Sequence, residues 1–554
     1  MDPEKKESAE VSVDDILQLL GPFGRFNVFN YFFILLPVFM AGMYSSVYNF
    51  ESMDLEYRCA VPECDDDTLA LNFTIPHKED GTPHKCLRYA PYSNSTYNES
   101  YCSELDFDTS TQIECDSYVY LEEHSIVKEF NLACVDWKRS LVGTVHNAGF
   151  FISIPLTGLL SDKFGRRLAL VFASVASGVF GLIRALAANY NMFVVFEFLE
   201  PAFGGGVYTA CFVLALELVG PKGRVFASLL FNTMFILGGV TVTLLAYWLK
   251  NWRYLLFVIY TPSVFVFTYL WMLSESFRWY FSKGKYEEGL KVLRRSERFN
   301  NVTVPKDYYN QVEKQAMRQR DARKSESMES NQSAFKQLLT SQMIWKRLFI
   351  CSFLWTASTL VYYGLSINAI ELSGNSYLNY IVVIVIEAPA NVCKLIFLDR
   401  FGRKRVISTA FFLAGLILIN YGFIPAGNWS IFFYLGGKFF ITLAYNSLYV
   451  FAAEVFPTNY RTSLLAICST IGRIGSTVAP LTPLLARYYV YLPTTLFGIM
   501  AAISAFLVLT LPETNNLKLP DSLKEAQDQD RKKKKEDKKE ETQVDRNVES
   551  KTSL

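Results

Sequence analysis

The sequence predicts an all-α membrane protein in which twelve transmembrane helices form two six-helix, pseudo-symmetric bundles. Three observations predict it. The 554-residue chain is 51% hydrophobic and 15% aromatic with only 19% charged residues, too apolar for a soluble protein of several domains. Hydrophobic runs of spanning length recur twelve times. A short charged motif stands at the same place in each half.

Residues 1–15 are polar and acidic, and 1–26 are expected to form a cytosolic N-terminus rather than a cleaved leader, because the first apolar run, Asn27 to about Ser46, is long enough to span. The runs lie near 27–47, 140–160, 168–187, 191–213, 225–247, 253–273, 347–367, 377–397, 406–425, 429–452, 463–485 and 490–510. They divide into an N-terminal bundle, 27–273, and a C-terminal bundle, 347–510. Between them, 274–346 is polar and basic, with helical character around Tyr286 to Arg298, and 511–554 is a charged cytosolic tail. The net charge of +1 says nothing about nucleic acid or acidic substrates, and no nucleic-acid partner is expected; the distribution of charge carries the information instead.

Segment 48–138 fixes the orientation. It holds six of the ten cysteines, Cys59, Cys64, Cys86, Cys102, Cys115 and Cys134, together with the sequons at Asn72, Asn94 and Asn98. Clustered cysteines and acceptor asparagines predict an extracellular, disulfide-bonded, glycosylated loop. An even number of spans then places both termini in the cytosol. Lys163, Arg166, Arg167, Lys222, Arg224, Arg400, Arg403, Lys404, Arg405 and Arg461 fall in connections on that side, as the positive-inside bias requires. Lys250, Arg253 and Arg487 run against it.

After the second span the chain reads Gly158-Leu-Leu-Ser-Asp162-Lys-Phe-Gly165-Arg166-Arg167, and after the eighth Leu398-Asp399-Arg400-Phe401-Gly402-Arg403-Lys404. A duplicated six-span unit is the build of many secondary transporters, in which two halves rock about a site near the midplane. The glycine is expected to permit close helix approach, the aspartate to favour the positive end of the following helix, and the arginines to pair with acids across the cytosolic face. The expected conformational latch comprises Asp162, Arg166, Glu217, Arg224, Asp399, Arg403, Glu454 and Arg461.

Further signatures narrow the reading. They are Asp14-Asp15-Ile-Leu-Gln-Leu-Leu-Gly21-Pro-Phe-Gly24, Ser125-Ile-Val-Lys-Glu129-Phe-Asn131-Leu-Ala-Cys134, Glu217-Leu-Val-Gly220-Pro-Lys-Gly-Arg224, Glu275-Ser-Phe-Arg278-Trp279, Glu454-Val-Phe-Pro457-Thr-Asn-Tyr-Arg461 and Leu511-Pro512-Glu513-Thr514. Together they resemble the organic cation, organic anion and carnitine transporters of the major facilitator superfamily, the solute carrier 22 type, from Asp14 to about Leu523. The resemblance implies a plasma-membrane transporter of small organic ions, without enzymatic activity or cofactor, and a coupling ion, proton or sodium, that the sequence leaves open. The chain departs from the family's pattern at Ser274, Phe277 and Glu197, the last standing where an arginine is common.

Charges at bilayer depth are costly unless they face a cavity or a partner. Glu387, Lys438 and Arg473 fall near the middle of spans eight, ten and eleven. Arg473, between Gly472 and Gly475, offers a planar fork to a substrate carboxylate, its alternative being an internal pair with Glu387 or a backbone carbonyl. The resemblance places arginine there in anion and carnitine carriers and aspartate in cation carriers. Glu387 is a candidate for an ammonium group, for proton coupling or for a structural ion pair, and Lys438 is a candidate to pair with it. Asn391 stands where the anion carriers that this chain resembles have a lysine.

Trp355 and Tyr362 are seven residues apart and share a helix face, with Tyr363 adjacent. By resemblance, Tyr208, Asn232, Phe235, Tyr445, Asn446 and Tyr449 line the same cavity, and aromatic faces attract ammonium groups. Glu197 and Glu200, three apart, either meet a cation or a proton or pair with Arg184; His146 is expected to be a satisfied interhelical group. Gly204-Gly205-Gly206 is expected to allow close packing. The expected substrate is a small zwitterion or cation, carnitine-like or an amino-acid-derived amine, with an organic anion exchanger as the alternative. A sugar porter shares several of the motifs, but the cysteine-rich loop and the aromatic seventh span count against it. A polytopic receptor would have no use for the duplication. The terminal Thr552-Ser-Leu554 fits a PDZ-domain ligand.

Overall fold

The computed structural model describes residues 13–514 apart from 22–23, 62–63, 65–70, 79–80, 93–105, 123, 220–222, 306, 310, 312–316, 318–340, 373, 426 and 458–459. Asn94, Asn98, Cys102 and Thr552–Leu554 therefore lie outside the described residues. Among the described residues, twelve helical segments of spanning length follow one another. Spans 1 to 6 are Arg25–Glu51, Asp136–Phe164, Arg166–Ala185, Tyr190–Leu218, Arg224–Leu249 and Trp252–Met272. Spans 7 to 12 are Gln342–Asn368, Ser376–Phe401, Arg403–Phe423, Asn428–Val455, Arg461–Val478 with its 3-10 continuation Ala479–Arg487, and Leu492–Leu509. Several run beyond the apolar windows, because helices continue into the polar interface where hydropathy falls but backbone bonding persists.

Three spans break at places the sequence explains. Span 8 is interrupted at Ile386, between Ser376–Val385 and Glu387–Phe401. Pro389 lacks an N–H and its ring opposes the carbonyl four residues back, at Val385. Span 4 breaks after Pro201 at Gly204–Gly206. There a Cβ on Gly204 would strike Ser177 of span 3, and one on Gly206 would strike Thr157 of span 2. This is the expected close packing, and it also seats the neighbouring charges described below. Span 6 passes into a 3-10 turn, Phe265–Thr268, after Pro262.

Each bundle closes on itself, spans 1 with 5, 2 with 4 and 3 with 6 in the first half, and 7 with 11 and 9 with 12 in the second. The halves meet chiefly through the outer ends, span 2 against span 11 and its 3-10 continuation, and span 5 against span 8. Gly143 lets span 2 reach Pro480, with a Cβ there only 2.8 Å from the ring. At the opposite ends of the spans the halves part around a cleft of about 330 Å³ lined by Arg224, Ser228, Asn232, Asn391, Lys394 and Asp399.

The loop between spans 1 and 2 carries two antiparallel pairs, β1 (Tyr57–Cys59) with β4 (Tyr118–Tyr120) and β2 (Leu87–Pro91) with β3 (Phe107–Glu114). Disulfides join Cys59 to Cys115 and Cys86 to Cys134, and Cys64 is disulfide-bonded too. Asn72 lies in a short helix, Leu71–Thr74. The Ser125–Cys134 signature docks this loop on the bundle. Ser125 donates to the carbonyls of Glu51 and Met53 at 2.9 and 2.8 Å, and Glu129 accepts from the Trp252 indole at 2.8 Å and pairs with Arg253. Arg487 pairs with Asp136. Arg253 and Arg487, two of the three exceptions to the positive-inside bias, are thus neutralised by carboxylates on the side of the disulfide-bonded loop.

On the side opposite this loop the N-terminal helix Val13–Leu20 packs with helices Phe277–Ser282 and Tyr286–Asn300 around Ile16, Leu20, Phe281 and Leu293. Asn300 accepts from the Phe26 backbone at 2.9 Å and donates to Leu20 at 3.0 Å.

Candidate functional site

Span 11 supplies Arg473 because Gly472 and Gly475 let it lie against span 7. A Cβ on Gly475 would meet the Thr356 carbonyl, and one on Gly472 would come 3.0 Å from Trp355. The flanking glycines therefore serve helix packing. The guanidinium crosses toward the other half, 5.1 Å above the Phe150 ring of span 2, with the Tyr363 hydroxyl in hydrogen-bonding reach. Among the described residues no carboxylate lies within ion-pairing distance of Arg473, so the internal pair with Glu387 does not form.

Glu387 instead pairs with Lys438 at 3.0 Å. Lys438, wholly buried, also donates to the Tyr362 carbonyl at 3.1 Å and the Ser366 hydroxyl at 2.8 Å, and lies 3.4 Å from the Tyr362 ring centroid. All three ammonium protons have acceptors. A buried pair with this degree of satisfaction is self-neutralising.

Around Arg473 the second half builds an aromatic cage. Trp355 lies edge-on to Tyr449 at 4.3 Å and to Tyr445 at 5.9 Å, Tyr362 lies 5.3 Å from Tyr445, and the hydroxyls of Tyr445 and Tyr449 are 3.2 Å apart. The buried indole N–H of Trp355 has no partner among the described residues. The first half contributes Tyr208, edge-on to Phe235 at 5.4 Å and to Phe231 at 6.2 Å. Asn446 donates to Asn391 at 2.7 Å, and Asn232, bonded to the Ser228 carbonyl at 3.0 Å, lines the 330 Å³ cleft with Asn391. The predicted cavity residues thus gather in two places, a cage around Trp355 and a polar floor at Asn232, Asn391 and Asn446. Phe150, the cross-half partner of Arg473, carried no signal in the sequence, being one aromatic among many on an apolar span.

Arg166 and Arg403 of the expected latch pair with acids, while its aspartates take a different place from the one expected. Arg166 pairs with Asp162 at 2.8 Å and Glu217 at 3.1 Å, and Arg403 with Asp399 at 3.0 Å and Glu454 at 3.3 Å. Each of these pairs stays within its own half. Arg224 and Asp399 both line the 330 Å³ cleft, and Arg461 opens span 11. The aspartates do not cap the following helices: Asp162 and Asp399 sit in the last turns of spans 2 and 8.

The carboxylates that do so were not among the predicted site residues. Glu275 accepts from the backbone N–H groups of Arg166 and Arg167, and Glu513 from those of Arg403 and Lys404, at 2.9 to 3.3 Å. Gly165 and Gly402 turn the chain there with φ of +109° and +91°, and a Cβ on either would crowd the carboxylate. Burial pushes the Glu275 carboxyl above its ordinary value, and the N–H groups of Ser276, Arg167 and Arg166 pull it back.

Two bundles of six helices around a cross-half charged and aromatic site, with duplicated helix caps, define a membrane transporter of the major facilitator type. Residues 90–523 match the family described as sugar (and other) transporters, to which this chain belongs. It is 29% identical over 531 residues to an organic cation transporter protein of Drosophila melanogaster, covering 93% of this chain and 94% of that one. It is 29% identical over 525 residues to the human organic cation/carnitine transporter 2 (92% and 93% covered) and 28% over 537 residues to mouse solute carrier family 22 member 3 (93% and 95%). A partially occluded, inward-open structure of the xylose transporter XylE from E. coli superposes with a TM-score of 0.58 at 16% identity, over 89% of this chain and all of that one, and shows the shared fold. The family is one of transporters rather than enzymes.

Proposed function

We propose that this protein carries small zwitterions, carnitine-like compounds or amino-acid-derived amines, across the plasma membrane by alternating access. The observation that carries the reading is the unequal state of two cations, buried Lys438 and half-buried Arg473. Lys438 is neutralised by Glu387, whereas Arg473 reaches the cross-half site with no carboxylate partner among the described residues. A substrate carboxylate meets a planar guanidinium there, with the Trp355 N–H beside the cage as a further donor. The ammonium end is received by the faces of Trp355, Tyr445 and Tyr449, each such contact worth about 1–2 kcal/mol when desolvated. Glu387 is the remaining candidate for the ammonium, in competition with Lys438.

The names of the relatives, organic cation and organic cation/carnitine transporters, support the class of substrate. An organic anion exchanger is the second reading, favoured by Arg473 alone; Asn391, uncharged and bonded to Asn446, speaks against it. The disulfide-bonded outer loop supports a plasma-membrane location with cytosolic termini, and Thr552–Leu554 is proposed as a PDZ ligand. Uptake of labelled zwitterions, cations and anions into proteoliposomes containing the full chain tests the reading. Accumulation of carnitine-like zwitterions above empty-liposome background, lost in Arg473→Ala, is expected; uptake of cations only, indifferent to that substitution, overturns it.

A further inference from the structure

A second charged site lies in the outer third of the first half, away from the cage. Arg184 of span 3 pairs with Glu197 of span 4 and with Glu51 of span 1, the latter at 2.9 Å, and donates to the Tyr260 hydroxyl of span 6 at 3.1 Å. His146 of span 2 bonds Glu197 through Nδ1 at 2.8 Å and lies 3.9 Å from Glu200. Glu51, His146, Arg184, Glu197, Glu200 and Tyr260 are each at most 1% exposed. From the remaining elements packed here, Tyr44 and Tyr48 of span 1, Asn147 of span 2 and Ser177 of span 3 are the polar groups in contact.

One guanidinium thus faces three carboxyls. With all of them ionised and His146 neutral, two negative charges would be left over in a water-free interior, which mutual repulsion and lost solvation forbid. Three buried polar atoms in the set, Glu51 Oε2, Glu200 Oε2 and His146 Nε2, have no hydrogen-bond partner among the described residues. We propose that this cluster is a proton-binding site, with Glu200 and His146 as the exchanging groups, and that its occupancy is coupled to the substrate site.

Geometry supplies both a route in and a route of coupling. Tyr48 packs tilted against the His146 ring at 4.9 Å and, with Ser140 and Gly143, borders an outer cleft of about 610 Å³, so one aromatic ring separates the cluster from that cleft. One turn further along span 2, Phe150 packs edge-on to His146 at 5.8 Å, and its ring carries Arg473 of the other half. A change of charge on His146 is therefore two contacts from the carboxylate-binding cation.

The test needs no substrate. Full-length protein in liposomes adsorbed to a solid-supported membrane is stepped in pH, and the transient charge displacement is recorded from pH 5 to 9. Wild type is expected to give a saturable displacement; Glu200→Gln to lose at least about half of its amplitude, and His146→Gln to shift its midpoint by about one pH unit or more. Glu200→Asp, which keeps a titrating group, is expected to restore the amplitude with a moved midpoint, a pattern that a purely structural role does not produce. If one variant fails to reconstitute, the other carries the comparison. No displacement in wild type, or the same amplitude and midpoint in every variant that reconstitutes, overturns the proposal.

Discussion

The carboxylate of Glu275 accepts the backbone N–H of Arg166 at 2.9 Å across 109 residues of sequence. In the second half Glu513 does the same for Arg403 at 3.0 Å across 110. The free N–H groups of a helix start need an acceptor, and an anion there is favoured by the helix dipole. The carboxylate that ends each bundle thus completes the helix in its middle.

Removing this acceptor leaves buried donors unsatisfied. Glu275→Ala and Glu513→Ala are each expected to cost about 1–3 kcal/mol, read as a lower unfolding temperature in detergent. Gly165→Ala, which adds a Cβ at φ +109° against Glu275, is expected to be at least as damaging.

The Glu275 carboxyl is raised by burial above the ordinary value of 4.5. Its folded form therefore binds protons more readily than its unfolded form, and it favours folding most at low pH, losing that contribution as pH rises through the raised value. The stability difference between wild type and Glu275→Gln is expected to decline over that window and then level off, as measured by thermal unfolding across a pH series.

Arg473→Ala is expected to lower uptake of carboxylate-bearing substrates about 10- to 100-fold, the worth of one charge-assisted interaction, while cations lacking a carboxylate are affected far less. Arg473→Lys recovers only part of the loss, because an ammonium lacks the planar fork. Tracer uptake in proteoliposomes measures both.

Lys438→Met strands Glu387 in the interior and is expected to destabilise the protein by about 3–5 kcal/mol. Adding Glu387→Gln to it is expected to return much of the loss, since the pair contributes less than its broken half costs. A double-mutant cycle of unfolding temperatures decides.

The Cys86–Cys134 bridge closes a segment with a sequence separation of 48 residues, a constraint worth about 4 kcal/mol on the chain-entropy scale. Cys86→Ser is expected to leave the spans intact while making the outer loop sensitive to protease, as limited proteolysis of intact cells would show.

The spans and the repeat were legible in the sequence because hydropathy and duplication are local signals. So was the pairing of Glu387 with Lys438, which stood among the alternatives. What was not legible is the choice among partners. Arg473 faces Phe150 rather than Glu387, and Arg184 draws Glu51 from span 1 as well as Glu197, because helix rotation and tilt are set by contacts such as Gly475 on Thr356 that no spacing reveals. The helix caps were hidden differently. Glu275 and Glu513 stood in recognised motifs, and their similar distances from Arg166 and Arg403 were available as a clue, but the nearer aspartates offered an easier explanation.

Those caps also say something about how the chain is divided. Glu275 ties the end of the first six helices to its own bundle, and Glu513 ties the end of the last six to the other, so neither closure reaches across the connecting segment. Each half carries its own fastening. Cut anywhere between Asn300 and Gln342 and produced as two polypeptides in one cell, the halves are expected to fold separately and then find each other.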